Sequence, residues 1–168
     1  MTGSVLSAAD DLAGFRPNVG VVLIRPDGKV WLGRRAATEG PLNWQFPQGG
    51  VDADEDLEDA ARRELAEETG VTSVQIIGRT KDWIAYAFPS DHAGSKIAKG
   101  WKGQKQVWFA MRFTGADSEI NLEAHGPPEF DAWRWANLGE VLETVVAFKR
   151  ETYEQVIAAF EPLTRPMG

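Results

Sequence analysis

The chain has no cysteine in 168 residues. That excludes a disulfide framework and any cysteine-ligated zinc. Histidine is nearly as scarce, and His92 and His125 both stand in loop-like sequence with no ligand spacing between them, so neither is expected to matter chemically. No stretch approaches the roughly 18 consecutive apolar residues that a membrane helix needs. Met1 to Gly14 has neither a basic start nor a long apolar run, so no signal peptide is expected there. Positive charge is also in deficit. A net charge of −7 argues against a protein that coats the backbone of duplex DNA. It leaves room for a site that grips one phosphorylated end. There are no internal repeats and no low-complexity segments, and the composition suits a compact cytoplasmic enzyme.

What the chain does have is bulk. Seven Trp and eight Phe supply large apolar area, and some of those rings are free to stack on a base as well as to pack. One domain is expected at this length, over residues 15–161, with 1–14 and 162–168 as loose tails. Val19 to Arg25 and Lys29 to Arg34 are β-rich runs about the turn Pro26-Asp27-Gly28, which predicts a hairpin. Ala36 to Asn43 reads as a loop and Trp44 to Phe46 as a short strand. Val74 to Arg79, Trp83 to Ala87, Gln106 to Phe113 and Trp133 to Trp135 read as further strands. Pro89 to Gly103, rich in Gly, Lys and Ser, predicts a mobile loop. Leu138 to Val146 and Lys149 to Phe160 read as helices, the second with a stripe of Tyr153, Val156, Ile157 and Phe160. This order predicts an α/β fold, a mixed sheet with helices on both sides.

The most specific segment runs from Gly49 to Val71. It reads Gly49, five residues, Glu55, seven residues, then Arg63-Glu64-Leu65-Ala66-Glu67-Glu68-Thr69-Gly70-Val71. Asp56 to Thr69 predicts a helix, with Asp54, Glu55 and Asp56 suited to its positive N-terminal end. Leu57, Ala61 and Leu65 form its apolar stripe, and Gly70 is placed to stop it. Glu64, Glu67 and Glu68 are three and four residues apart, so their carboxylates share one face, expected to be exposed, and repel. A hard divalent cation, Mg²⁺ or Mn²⁺, would turn that repulsion into ligation. The competing reading is a solvated charged face, in which Arg63 pairs with Asp59 or Glu67 and Glu58 with Arg62.

The whole pattern resembles the Nudix box, with every specified position filled. The resemblance implies an α/β/α sandwich and metal-assisted hydrolysis of a nucleoside diphosphate linked to another group. Outside the box, the bacterial RNA pyrophosphohydrolases and related dinucleoside polyphosphate hydrolases are similar in further strings. These are Arg16-Pro17-Asn18-Val19-Gly20, Trp44-Gln45-Phe46-Pro47-Gln48-Gly49-Gly50 and Gly103-Gln104-Lys105-Gln106-Val107-Trp108-Phe109. Pro128-Glu129-Phe130-Asp131-Ala132-Trp133-Arg134-Trp135 and Val145-Val146-Ala147-Phe148-Lys149-Arg150 complete the set. Two loops depart from that subfamily, Ala36 to Asn43 in length and Ile97 to Lys102 in sequence.

That resemblance implies a set of roles. Glu64, Glu67 and Glu68 are expected to hold the metal, with Glu129 as a further metal ligand or base, and Glu64 or Glu68, rather than Glu67, is favoured to accept a proton from the attacking water. Gly49 and Gly50 would let the backbone approach metal or phosphate closely. Arg63 is expected to orient the box loop through Glu55. Of Arg34 and Arg35, only one can face the site, and the resemblance favours Arg35. Val146, Phe148 and Lys149 would surround the first bases, with Arg16, Tyr86 and Lys105 near the phosphates. Three functions stay open on this reading. They are hydrolysis at the 5′-triphosphate end of RNA, asymmetric cleavage of a dinucleoside polyphosphate, and a sensor that binds a nucleotide without cleaving it.

Overall fold

A computed structural model describes residues 13–36, 40–89 and 100–166. Its sheet has eight strands. They are β1 (Phe15–Ile24), β2 (Val30–Arg35), β3 (Trp44–Gln45), β4 (Gln48–Gly50), β5 (Val74–Arg79), β6 (Ile84–Ala87), β7 (Gly103–Phe113) and β8 (Phe130–Ala136). Two helices complete the fold, α1 (Leu57–Thr69) and α2 (Arg150–Phe160). β1 and β7 run parallel through the middle, and every other pairing is antiparallel, so the sheet is mixed. Both sheet faces are covered. Val19, Val21, Leu23, Val107 and Phe109 point toward Ala61 and Leu65 of α1. The alternate residues Val22, Ile24, Trp108 and Ala110 pack with Tyr153, Val156 and Phe160 of α2. This is the expected sandwich, generated by period-two alternation in the strands and a four-residue repeat in the helices. Among the described residues, no helix is long and apolar enough to cross a membrane.

Several boundaries differ from the sequence reading, each for a non-local reason. β1 starts at Phe15 and β7 at Gly103, because the two pair in unbroken register from Phe15↔Gly103 to Ile24↔Arg112. Pairing thus carries strand geometry through Arg16, Gln104 and Lys105, whose composition does not ask for it. Gln48–Gly50, beyond the strand expected over Trp44 to Phe46, is also a strand because it pairs with Asn18, Val19 and Gly20. Leu138 to Val146 does not make an α-helix. It forms a 3₁₀ turn over Leu138–Glu143, capped by Asn137 and Glu140, and Gly139, Val145 and Val146 disfavour continuation. A second 3₁₀ turn, Ala147–Lys149, leads into α2.

The C-terminal residues 162–164 take part in a 3₁₀ turn, Glu161–Thr164, and Leu163 packs against the core. The tail 1–12, the loop segments 37–39 and 90–99 (with His92), and residues 167–168 lie outside the described residues.

Candidate active site

The site begins with one short helix and the strand before it. Asp56 caps α1 by accepting hydrogen bonds from the Glu58 and Asp59 backbone N–H groups at 3.0 and 3.2 Å. Asp54 and Glu55 therefore precede the helix rather than entering its first turn, and Asp54 adopts a left-handed φ of 62°. Gly70 closes the helix with φ 77°, a conformation that a Cβ would penalise. Between these ends, Ala61 and Leu65 are buried against β1. That contact sets the rotation of the helix, and the rotation aims Glu64 and Glu68 at β4.

The approach is close enough to dictate glycine. A Cβ built at Gly49 would overlap the Glu64 carboxylate, and one at Gly50 would overlap the Arg16 guanidinium. Gly49→Ala is therefore expected to displace Glu64 and lower hydrolysis on the order of 10²-fold, the cost of a misplaced catalytic group. Thermal melting should change far less. Steady-state kinetics of the purified variant, beside its melting curve, test this, and wild-type activity would show that Glu64 has room to move.

Arg63 organises the loop. Its guanidinium donates to both Glu55 carboxylate oxygens at 2.8 and 2.9 Å and to the Gly50 carbonyl at 2.9 Å. The remaining nitrogen, Nη1, donates to Glu64 at 2.9 Å and Glu67 at 3.2 Å. Glu55 also accepts from the Asp52 backbone N–H. Hydrogen bonds from Arg63 and Asp52 hold the Glu55 carboxyl at a pKa of about 2, and the Glu55 bond raises that of Arg63. Glu58 and Arg62 pair loosely at 3.8 Å.

The three helix glutamates are not equivalent, and the face they share is not uniformly exposed. Glu68 is buried at 9% exposure, and its Oε2 accepts from the Gln48 backbone N–H at 3.1 Å. Glu67 is the open one, turned toward Arg63. Burial pushes the Glu68 carboxyl well above the usual carboxylate range, and the neighbouring Glu64 and Glu129 charges push it further. Glu64 is raised for the same first reason. Glu129 comes from a different part of the chain. The β2–β8 pairing brings it in, with its carbonyl accepting from the Ala36 N–H at 2.9 Å.

Among the described residues, no three acidic or imidazole side chains are drawn together closely enough to enclose an ion as they stand. Unshielded carboxylates repel one another, and Arg63 takes up one oxygen each of Glu64 and Glu67. The donor set nonetheless suits a hard cation. It consists of carboxylate oxygens, and the buried Glu68 has only a backbone N–H and the distant Lys149 charge to offset its own.

A cation and aromatic rings also lie near Glu68, close enough for the Lys149 charge to act on it. Lys149 is buried at 7% exposure and donates to Gln45 Oε1 at 3.2 Å. Burial, reinforced by the Arg35 charge, lowers its ammonium to a pKa of about 7, while Glu129 and Glu68 oppose that shift. Arg35 is thus on the site side, whereas Arg34 turns outward to Asp131 at 2.6 Å. Lys149 Nζ stands 5.9 Å from the centre of the Phe148 ring, which lies 5.8 Å from that of Tyr86. Val146 opens the turn that carries both residues, its carbonyl accepting from the Lys149 N–H.

Arg16 lies on the Tyr86 face, in register with Gln104, to which the Tyr86 hydroxyl donates. Lys105 does not join them. Strand alternation turns it to the α1 side, where its ammonium sits 5.0 Å over the Trp83 ring. His125 is exposed in the loop before Glu129.

Four amides here carry structure that residue-by-residue reading passed over: Gln45, Gln48, Gln104 and Gln106. Gln45 anchors Lys149, and Gln48 reaches Gln104 at 3.5 Å. Gln106 bridges Trp108 Nε1 and Asn18 at 3.0 and 2.8 Å. Their signal was available, since uncharged amides recur inside otherwise strand-like strings.

Comparison with known proteins matches residues 14–156 to the family model described as NUDIX domain. A protein of Caulobacter vibrioides named RNA pyrophosphohydrolase is 65% identical over 151 residues, covering 89% of this chain and 88% of that protein. One of the same name from Gluconacetobacter diazotrophicus is 44% identical, covering 90% and 95%. Among solved structures, an Ap4A hydrolase of C. elegans in a binary complex superposes with a TM-score of 0.62 at 20% identity, covering 88% of this chain and 98% of that one. The dihydroneopterin triphosphate pyrophosphohydrolase of E. coli gives 0.64 at 19%, covering 86% and 97%. At such identities the two structures speak for the fold alone.

Proposed function

The chain belongs to the Nudix family of hydrolases, and we propose that it hydrolyses a phosphoanhydride at the 5′-triphosphate end of RNA, leaving a 5′-monophosphate. Its 65% and 44% identical relatives are named for that reaction. The observation that carries the reading is a juxtaposition. Glu68 lies within electrostatic reach of Glu64, Glu129 and Lys149, and Lys149 within reach of Arg35 and beside the Phe148 ring. A polyphosphate with a base attached needs those two surfaces side by side.

Nudix hydrolases depend on a divalent metal, and Mg²⁺ or Mn²⁺ on Glu64, Glu67, Glu68 and Glu129 is the assignment these donors support. Such an ion supplies charge neutralisation on the phosphate oxygens and makes water more acidic. The protein does the rest. Arg35 and Lys149 hold phosphate oxygens, and Arg16 steadies the far end of the chain from its place over Gly50. Glu64 or Glu68 takes the proton as water attacks phosphorus, and a carboxylate with a raised pKa is suited to that. The P–O bond to the leaving pyrophosphate or phosphate then breaks.

The test is product release from matched triphosphorylated and monophosphorylated RNAs, with diadenosine tetraphosphate alongside, in Mg²⁺ and then Mn²⁺. Triphosphorylated RNA should turn over fastest, and RNA with a duplexed 5′ end slowly, because its bases are not free to splay out. Phe148→Ala should lower kcat/KM for RNA roughly 5- to 150-fold, the range for one lost base stack. Rapid turnover of the dinucleotide beside inert RNA would transfer the assignment to dinucleoside polyphosphates. Binding of either without turnover would make the protein a sensor.

A further inference from the structure

Phe88 repeats, on the same face, the arrangement seen at Phe148. It follows Tyr86 by two residues, so strand alternation gives both side chains one direction. Its backbone N–H continues the ladder past β6 by donating to the Lys102 carbonyl at 2.9 Å, which fixes its place. Tyr86 is a closed floor, 1% exposed with its hydroxyl committed to Gln104. The Phe148 and Phe88 rings both rest on it, with centres 5.8 and 6.1 Å from its own, and both remain only half-buried. Phe148 has the Lys149 ammonium beside its ring, and the exposed Lys102 is the residue across the ladder from Phe88. Lys102 is itself pinned at the start of β7, its N–H donating to the Gly14 carbonyl at 2.8 Å. Its side-chain carbons run beside Gly14, at the end of the sheet where Arg16 and Gln104 stand.

We propose that Phe88, with Lys102 across the ladder as a phosphate contact, is a second stacking platform, taking the base next along a single-stranded RNA from the one held at Phe148. The proposal rests on the RNA reading above. A single aromatic beside a cation serves one base, and a row of two serves consecutive bases, because stacking tolerates any base and the phosphate between them needs a positive charge. If Phe88 only roofed Tyr86, any apolar side chain of similar size would serve.

The experiment is a cycle between protein and RNA. Short 5′-triphosphorylated RNAs, intact or with one abasic ribose at each of the first positions in turn, are hydrolysed by wild type, Phe88→Ala, Phe88→Leu, Phe88→Trp and Phe148→Ala. On intact RNA, Phe88→Ala and Phe88→Leu should both lower kcat/KM roughly 5- to 100-fold, with Phe88→Trp near wild type. The loss should vanish on the RNA that is abasic one position 3′ of the site to which Phe148 is coupled. Lys102→Gln should weaken binding of the intact RNA and flatten the salt dependence of log affinity by about 1, since one phosphate contact has gone.

Equal losses on every RNA, wild-type rates in Phe88→Leu, or no loss in Phe88→Ala would each overturn the platform while leaving the RNA reading in place. If wild type releases nothing from intact triphosphorylated RNA, the RNA reading fails and the platform falls with it.

Discussion

Glu68→Gln is expected to lower turnover of any polyphosphate substrate by about 10²- to 10⁴-fold, the range for removing a catalytic acid or base. The loss should fall mainly on kcat, because the phosphate contacts proposed for Arg35 and Lys149 are left untouched. The fold should survive, but not because the position is exposed. Glu68 is buried, and burial together with the Glu64 and Glu129 charges disfavours its charged form. A neutral isostere still accepts from the Gln48 N–H, and it carries no charge for burial to oppose. With chelator present, the variant should therefore melt at or above the wild-type temperature. Adding Mg²⁺ or Mn²⁺ should raise the wild-type melting temperature and the variant's less, since an ion that binds the folded state stabilises it by mass action. Calorimetry with and without divalent ion, together with single-turnover rates, checks both halves. Undiminished hydrolysis in Glu68→Gln would remove Glu68 from the chemistry.

Arg63→Ala should be the more damaging change to the structure, and Arg63→Lys should rescue little of it. The guanidinium serves Glu55, Glu64, Glu67 and the Gly50 carbonyl at once, through a planar fork that an ammonium does not have. Its loss should cost about 2 kcal/mol, a fall in Tm on the order of 4–8 °C. Activity should fall on the order of 10²-fold, because the end of β4 loses its tether at the Gly50 carbonyl.

The pH dependence has a definite sign. Glu55 is held at about 2, below its ordinary 4.5, so its contribution is present above 4.5 and is lost as pH falls toward 2. The stability gap between wild type and Arg63→Ala should therefore narrow over that window. A gap that stays constant in acid-titrated melting curves would place the stabilisation elsewhere.

Much of this molecule was settled locally. Asp56 and Gly70 bound α1 because capping and a left-handed stop depend on the chemistry of single residues. The hairpin about Pro26-Asp27-Gly28, β5, and the α2 stripe formed as their own patterns require. Spacing along one helix likewise brought Glu64 and Glu68 to one side. Tertiary structure decided what depends on pairing between distant segments. β4 is a strand only because β1 accepts it, and Lys105 faces α1 only because β7 extends back to Gly103. Burial was decided the same way. Helix periodicity gives Glu67 and Glu68 the same standing, whereas the Gln48 strand covers one and leaves the other to Arg63 and solvent. Lys149, in the sequence an ordinary helix-start lysine, is buried where it meets Gln45 of β3, and burial, then the Arg35 charge, lowers its pKa. Spacing along one chain fixes which groups share a face, and only the packing of distant segments fixes how far each is removed from water.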